Sequence, residues 1–262
     1  MEILVCARRV PDTSENEIEL NAAANDIERD DLVYSVNEPD NYAVEEALQI
    51  RDRVGGNVTV VTIGGEDDEE ILRRELAMGA NQAVLVSDDA FAESDGKGIA
   101  TILKSFVQKG HYDLILTGVQ ADDGAAQVGG MLAAMLDYPF ASLVNAIAVE
   151  DGKLKVSREI EGGNREINQI DLPCVLSIQT GINEPRYVGM RGIRQVASVS
   201  IPTLGASDLG VDQSAVGQAA AKVSRIDYFV PALSKGAEML HGSREANADR
   251  VLELVAAKGG LK

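Results

Sequence analysis

The 262-residue sequence predicts a doubly wound α/β fold on a mostly parallel sheet, with additional strands and a C-terminal arm helix. Two patterns predict it. Short runs of Val, Ile and Leu recur without polar alternation, as expected when both faces of a parallel sheet are covered. Stretches with apolar residues at helical spacing separate those runs, and strand–helix–strand alternation implies right-handed crossovers.

In order, Ile3 to Ala7, Val58 to Ile63, Ala83 to Val86 and Leu114 to Thr117 read as strands. Ala43, Val44, Ala47, Leu48 and Ile50 make the stripe of a first helix. Ile71, Leu72 and Leu76 begin a second, which Gly79 can end. Ile99, Ile102, Leu103, Phe106 and Val107 follow the i, i+3, i+4, i+7, i+8 pattern of a third. Met131, Leu132, Met135 and Leu136 give a fourth, stopped before Pro139. Beyond it, Ser142 to Val149, Lys153 to Ile160 and Pro173 to Gln179 read as strands, the first two joined at the Glu150-Asp151-Gly152 turn. The chain turns irregular from Gly181, and Ser207 to Lys235 shows no long period. Ser243 can cap a final helix carrying Ala248, Val251, Leu252 and Val255.

The composition narrows the function. A 45% hydrophobic share is ample for a core, and the net charge of −18 is the wrong sign for nucleic-acid phosphates or anionic membrane surfaces. The apolar runs are strand-sized, so no membrane insertion is expected. No basic leader precedes the first strand, which points to a cytoplasmic protein. Cys6 and Cys174 are too few for a disulfide framework or a cysteine-rich metal site. Neither His111 nor His241 has a nucleophile or carboxylate at a telling spacing, and the acids Asp67 to Glu70 suit the first turn of a helix. The pattern is that of a binder with no catalytic residues of its own.

Ligands of doubly wound sheets lie outside the carboxyl ends of the strands. Gly64-Gly65 follows one such end. After Leu116-Thr117, residues Gly118 to Gly130 run into a helix with four glycines on the way. Backbone N–H groups at such a helix start can hold a phosphate, and no obligate side-chain cation lies in that run. Neither a Walker A motif nor a G-x-G-x-x-G follows the first strand.

Several segments together resemble the beta subunit of electron transfer flavoproteins, from Ile3 to about Val211. Leu4 to Val10 resembles that family's opening strand, Asn37 to Ala47 its first helix start, and Leu76 to Ala80 its second helix end. Val156-Ser157-Arg158-Glu159-Ile160-Glu161-Gly162-Gly163, followed by Leu172-Pro173, is similar to its diagnostic segment. Asn183-Glu184-Pro185-Arg186-Tyr187 is similar to the start of its partner-recognition loop. The loop between Gln120 and Gln127 is one residue shorter than the family's usual pattern, and Asn168 and Ser177 also depart from it.

The resemblance implies a Rossmann-like, adenine-nucleotide-binding core over residues 1–205 and an extension over 206–262 that packs on an alpha subunit. It implies AMP in this subunit and FAD shared with the alpha subunit. The positions matching the nucleotide contacts are Cys6, Asn37, Glu38, Pro39, Asp40 and Ile63, then Thr117, Gly118, Val119, Gln120, Ala121, Asp122, Asp123, Gly124, Ala125, Ala126 and Gln127. Contacts at Cys6 and Ile63 would be through backbone or packing, whereas Asn37 suits an adenine edge or a ribose. The recognition loop would span 186–195, with Arg186, Tyr187, Met190 and Ile193 at the partner surface and Met190 as the inserted anchor. Glu159 matches a glutamate that pairs with an alpha-subunit arginine. Electrons would come from acyl-CoA or amine dehydrogenases and go to a membrane quinone reductase. Two other readings stand beside this one. A bifurcating subunit would hold a second FAD in place of AMP and meet NADH, and a universal-stress-type sensor would bind adenine nucleotide by itself.

Overall fold

A computed structural model describes residues 1–121, 124–150, 152–232, 236–237 and 239–260. They group into two units. The larger comprises 1–19 and 28–226, and the smaller comprises 20–27 and 227–262.

The larger unit is built on a nine-stranded sheet among the described residues. β1 (Glu2–Cys6) lies in its interior, flanked in parallel by β4 (Asn57–Ile63) and β6 (Leu114–Gly118). Outside β4 lie β5 (Gln82–Val86) and the short β11 (Thr203–Leu204), both parallel. Outside β6 lie β10 (Cys174–Ile178) and β7 (Phe140–Glu150), also parallel. The antiparallel strands β8 (Lys153–Ile160) and β9 (Asn164–Ile170) complete that edge. A separate hairpin of β2 (Arg9–Pro11) and β3 (Tyr34–Val36) follows β1.

Alternation along β1 shows why both faces are covered. Ile3 and Val5 enter one core with α1 (Glu38–Val54) and α2 (Glu69–Met78). Leu4 enters the other with α3 (Gly96–Val107) and α4 (Val128–Leu136). Two apolar faces on each central strand are what the continuous Val, Ile and Leu runs provide. The helix ends are set locally: the Asp95 side chain accepts from the Gly98 N–H at 2.9 Å to start α3, and Gly79 at φ 129° ends α2.

The doubly wound sheet is as expected, and three elements are additional to it. Asn164–Ile170 is a strand although its sequence is polar, because it lies at the sheet edge with most side chains in water. Residues 190–196, expected as loop, form the helix α5 (Met190–Val196). The hairpin of β2 and β3 is the third. Short helices α6 (Ala206–Leu209) and α7 (Gly217–Ala220) follow, and Leu209 and Val211 close the second core. The turn residue Asp151 lies outside the described residues.

In the smaller unit, α8 (Arg244–Ala257) begins as expected at Ser243, whose hydroxyl accepts from the Ala246 N–H at 3.2 Å. None of its residues is buried. Among the described residues no helix is long and apolar enough to cross a membrane.

Candidate functional site

The chain order puts β4 and β6 on opposite sides of β1, so the sheet reverses direction there, and crevices form at such reversals. Cys6 ends β1 opposite Val61 and Thr117, and Ile63 ends β4. The Cys6 thiol is pushed far above its usual range by burial and then by the nearby Asp40, so it stays neutral and serves as packing.

The start of α1 ties these strand ends together. Asp40 is buried in its first turn, and its carboxylate accepts from the Arg8 N–H at 2.9 Å and the Gly118 N–H at 2.8 Å. One side chain therefore links the turn after β1 to the turn after β6. Burial pushes the Asp40 carboxyl up to about 7, against the pull of those N–H groups, Asn37 and Arg8. The Asn37 amide Nδ2 donates to the Gln120 carbonyl at 2.9 Å and so fixes the next residues of the same loop. Gly118 admits no Cβ, since Pro39 Cβ would stand 2.8 Å from it. Asn37 and Asp40 thus act first as braces, with their side-chain groups engaged inside the protein, while Glu38 is exposed beside them.

Beyond Gly118 the loop opens. The Val119 N–H still donates to Ile178, and the Gly124 N–H to Ala121, both at 2.9 Å. Gln120, Gly124, Ala125, Ala126 and Gln127 are exposed, Ala121 is half-buried, and Ala126 has φ 54°. Asp122 and Asp123 lie outside the described residues. α4 then begins without a side-chain cap. Gln127 packs instead against the start of α3, its Oε1 standing 2.9 Å from where a Gly96 Cβ would be. Gly129 brings this uncapped start onto the strand ends, because a Cβ there would overlap Ser177 Oγ and come within 2.9 Å of Thr117 Oγ1. Those two hydroxyls bond each other at 2.9 Å. The start of α4, where the first-turn amides and the positive end of the helix dipole lie, therefore sits at the strand ends, an arrangement that fits an anion.

The hairpin after β1 adds a cation that reading the glycine loops alone missed. Arg9 lies over the Tyr34 ring at 3.7 Å, within electrostatic reach of Asp68, whose carboxylate accepts from the Gly65 N–H at 2.7 Å. The adjacent Arg8-Arg9 pair just past the first strand was the available signal.

The expected recognition loop lies against α1 and α2. Tyr187 and Met190 are 92% and 68% exposed, and Ile193 is half-buried. Arg186, itself exposed, forks onto the buried Glu45, its Nε 2.8 Å from Glu45 Oε2 and its Nη2 3.0 Å from Glu45 Oε1. Although burial works against it, this fork holds the Glu45 carboxyl below its usual range. Glu159 is exposed on β8, opposite Arg165, with β7 and β10 between it and the strand-end crevice.

Fold and site together define an α/β protein with an anion-fitting crevice at a sheet reversal and a separate, braced surface segment. The electron transfer flavoprotein domain matches residues 25–209. Electron transfer flavoprotein subunit beta of Methylophilus methylotrophus is 34% identical, covering 97% of this chain and 98% of that one. The caffeyl-CoA reductase-Etf complex subunit CarD of Acetobacterium woodii is 37% identical, covering 93% of each. Protein FixA of Azotobacter vinelandii is 32% identical over 98% of this chain and 94% of that one. The chain belongs to the electron transfer flavoprotein family, as a beta-type subunit. This membership does not favour the stand-alone sensor.

Proposed function

We propose that this chain holds AMP in the crevice at the ends of β1, β4 and β6, as the beta half of a heterodimer whose alpha partner carries FAD. The observation that carries the reading is the uncapped start of α4, pressed onto Thr117 and Ser177 by Gly129. The first-turn amides would take the phosphate. Asp40 and Asn37 would shape the Gly118–Gln120 stretch from behind, and Cys6 and Ile63 would pack on the adenosine. The FAD supplies the redox chemistry when bound, and this chain's residues position and shield it.

Residues 186–195 present Met190 to a dehydrogenase such as an acyl-CoA dehydrogenase, a flexible apolar side chain suited to more than one partner. Glu159 pairs with an alpha-subunit arginine. The apolar side chains of the smaller unit, among them Phe229, Val230 and Leu252, are exposed in this chain alone, which supports packing of the later part of 206–262 on the alpha subunit, whereas Leu209 and Val211 pack in the second core. Electrons then leave through a membrane quinone reductase.

The test is a cofactor count. The chain is co-expressed with its alpha subunit, the complex is denatured, and FAD and AMP are separated and quantified. Equal amounts of FAD and AMP are expected. Two FAD and no AMP per heterodimer would replace the ligand and make this a bifurcating subunit that meets NADH. Failure to form a heterodimer would overturn the partner.

A further inference from the structure

α5 has seven residues, too few to persist by its own hydrogen bonds, so its position is set by what holds it. The stretch leading into it is fixed on α1. Asn183 Nδ2 donates to the Tyr42 carbonyl at 3.2 Å and to Glu46 Oε2 at 3.1 Å, and Arg186 forks onto Glu45. Its middle rests on α2, where a Cβ on Gly192 would come within 3.4 Å of the Ala77 carbonyl oxygen.

At the far end Val196 packs against the first core, and one side chain takes the carbonyl groups. Arg73, on α2, places Nη1 at 3.1 Å from the Val196 carbonyl oxygen, 3.0 Å from that of Ala197 and 3.2 Å from that of Val199. With two N–H bonds for three acceptors, Nη1 shares at least one of them. Its Nη2 donates to Glu69, one turn back on the same helix, which fixes the guanidinium plane. The last carbonyls of a helix have no partner within it and carry the negative end of its dipole, so a cation there both caps and anchors.

We infer that Arg73 is the positioning residue of the docking segment: by gathering the carbonyls at the end of α5, it sets where Met190 and Tyr187 are presented. The inference rests on the reading of 186–195 as the surface that meets a dehydrogenase. A lysine at this position supplies charge without the planar fork that serves Glu69 and the carbonyls at once.

The test uses the full, cofactor-loaded heterodimer with Arg73→Met and Arg73→Lys. Hydrogen–deuterium exchange is followed at amides 190–199, and electron uptake is measured over a range of concentrations of an acyl-CoA dehydrogenase. Arg73→Met is expected to speed exchange at those amides about tenfold, leaving β1 and β4 unchanged. The KM for the dehydrogenase rises by about the same factor with kcat unchanged, and Arg73→Lys falls between. Unchanged exchange in Arg73→Met, or a fall in kcat with KM unchanged, would overturn the inference. If the wild-type heterodimer takes no electrons from this dehydrogenase, that choice of partner fails, and the exchange comparison still decides the role of Arg73.

Discussion

Four buried carboxylates lie on α1 and α2, and each meets burial differently. Asp40 has backbone N–H groups, Glu45 has Arg186, and Glu46 has Asn183 and Arg53. Glu75, fully buried, has both oxygens without a hydrogen-bond partner. Burial pushes its carboxyl up to about 8, helped by Asp40 and Glu45 and opposed by Arg74. A carboxyl whose folded pKa is raised favours the protonated fold. The stabilising effect is complete below the unfolded pKa, near 4.5, and is lost as pH climbs toward 8. Asp40, raised to about 7, acts in the same direction. The thermal midpoint should therefore fall between about pH 5 and 8. Glu75→Gln should flatten that fall and stabilise the protein at pH 8 by ~1–3 kcal/mol, read from thermal scans at both pH values. An identical slope in wild type and variant would contradict this account of Glu75.

At the level of elements, contact between α4 and the strand ends depends on one missing methyl group. Gly129→Ala forces a Cβ onto Ser177 and Thr117 and should cost ~1–3 kcal/mol and most of the bound nucleotide. Gly130→Ala meets only Phe140, at 3.5 Å, and should hold or slightly raise stability. Nucleotide content and melting temperature of the two variants separate the outcomes, and equal behaviour would sink the explanation. The central strands were legible because each is apolar on two faces, and the crevice because glycines follow their ends. What stayed hidden depended on distant partners. The edge strand Asn164–Ile170 has almost no apolar face to advertise it. α5 is held by Arg73, more than a hundred residues away in sequence. The bracing roles of Asn37 and Asp40 were hidden for the same reason, since Gln120 and Gly118 reach them only through the fold.

Across the whole molecule, apolar exposure is uneven. In the smaller unit Phe229 and Val230 are 74% and 73% exposed, and Val251, Leu252 and Val255 of α8 are exposed as well. Phe229→Ser with Val230→Ser in the full chain should leave the larger unit's thermal transition in place. It should weaken association with the alpha subunit by ~2–4 kcal/mol, measured by calorimetric titration. Undiminished association would remove this segment from the interface. The net charge of −18 makes no prediction about that contact, because the contact would be apolar.

α1 carries a double duty. Its first turn, through Asp40, braces the loop that starts at Gly118, and one turn later Glu45 and Glu46 hold the segment that bears Met190. For anyone redesigning this protein, the proposed nucleotide loop and the proposed docking segment share one rod: moving the start of α1 to alter the first also re-aims the second. The exposed loop 124–127 can be rewritten without touching that rod, which makes it the place where ligand choice can drift while partner choice stays fixed.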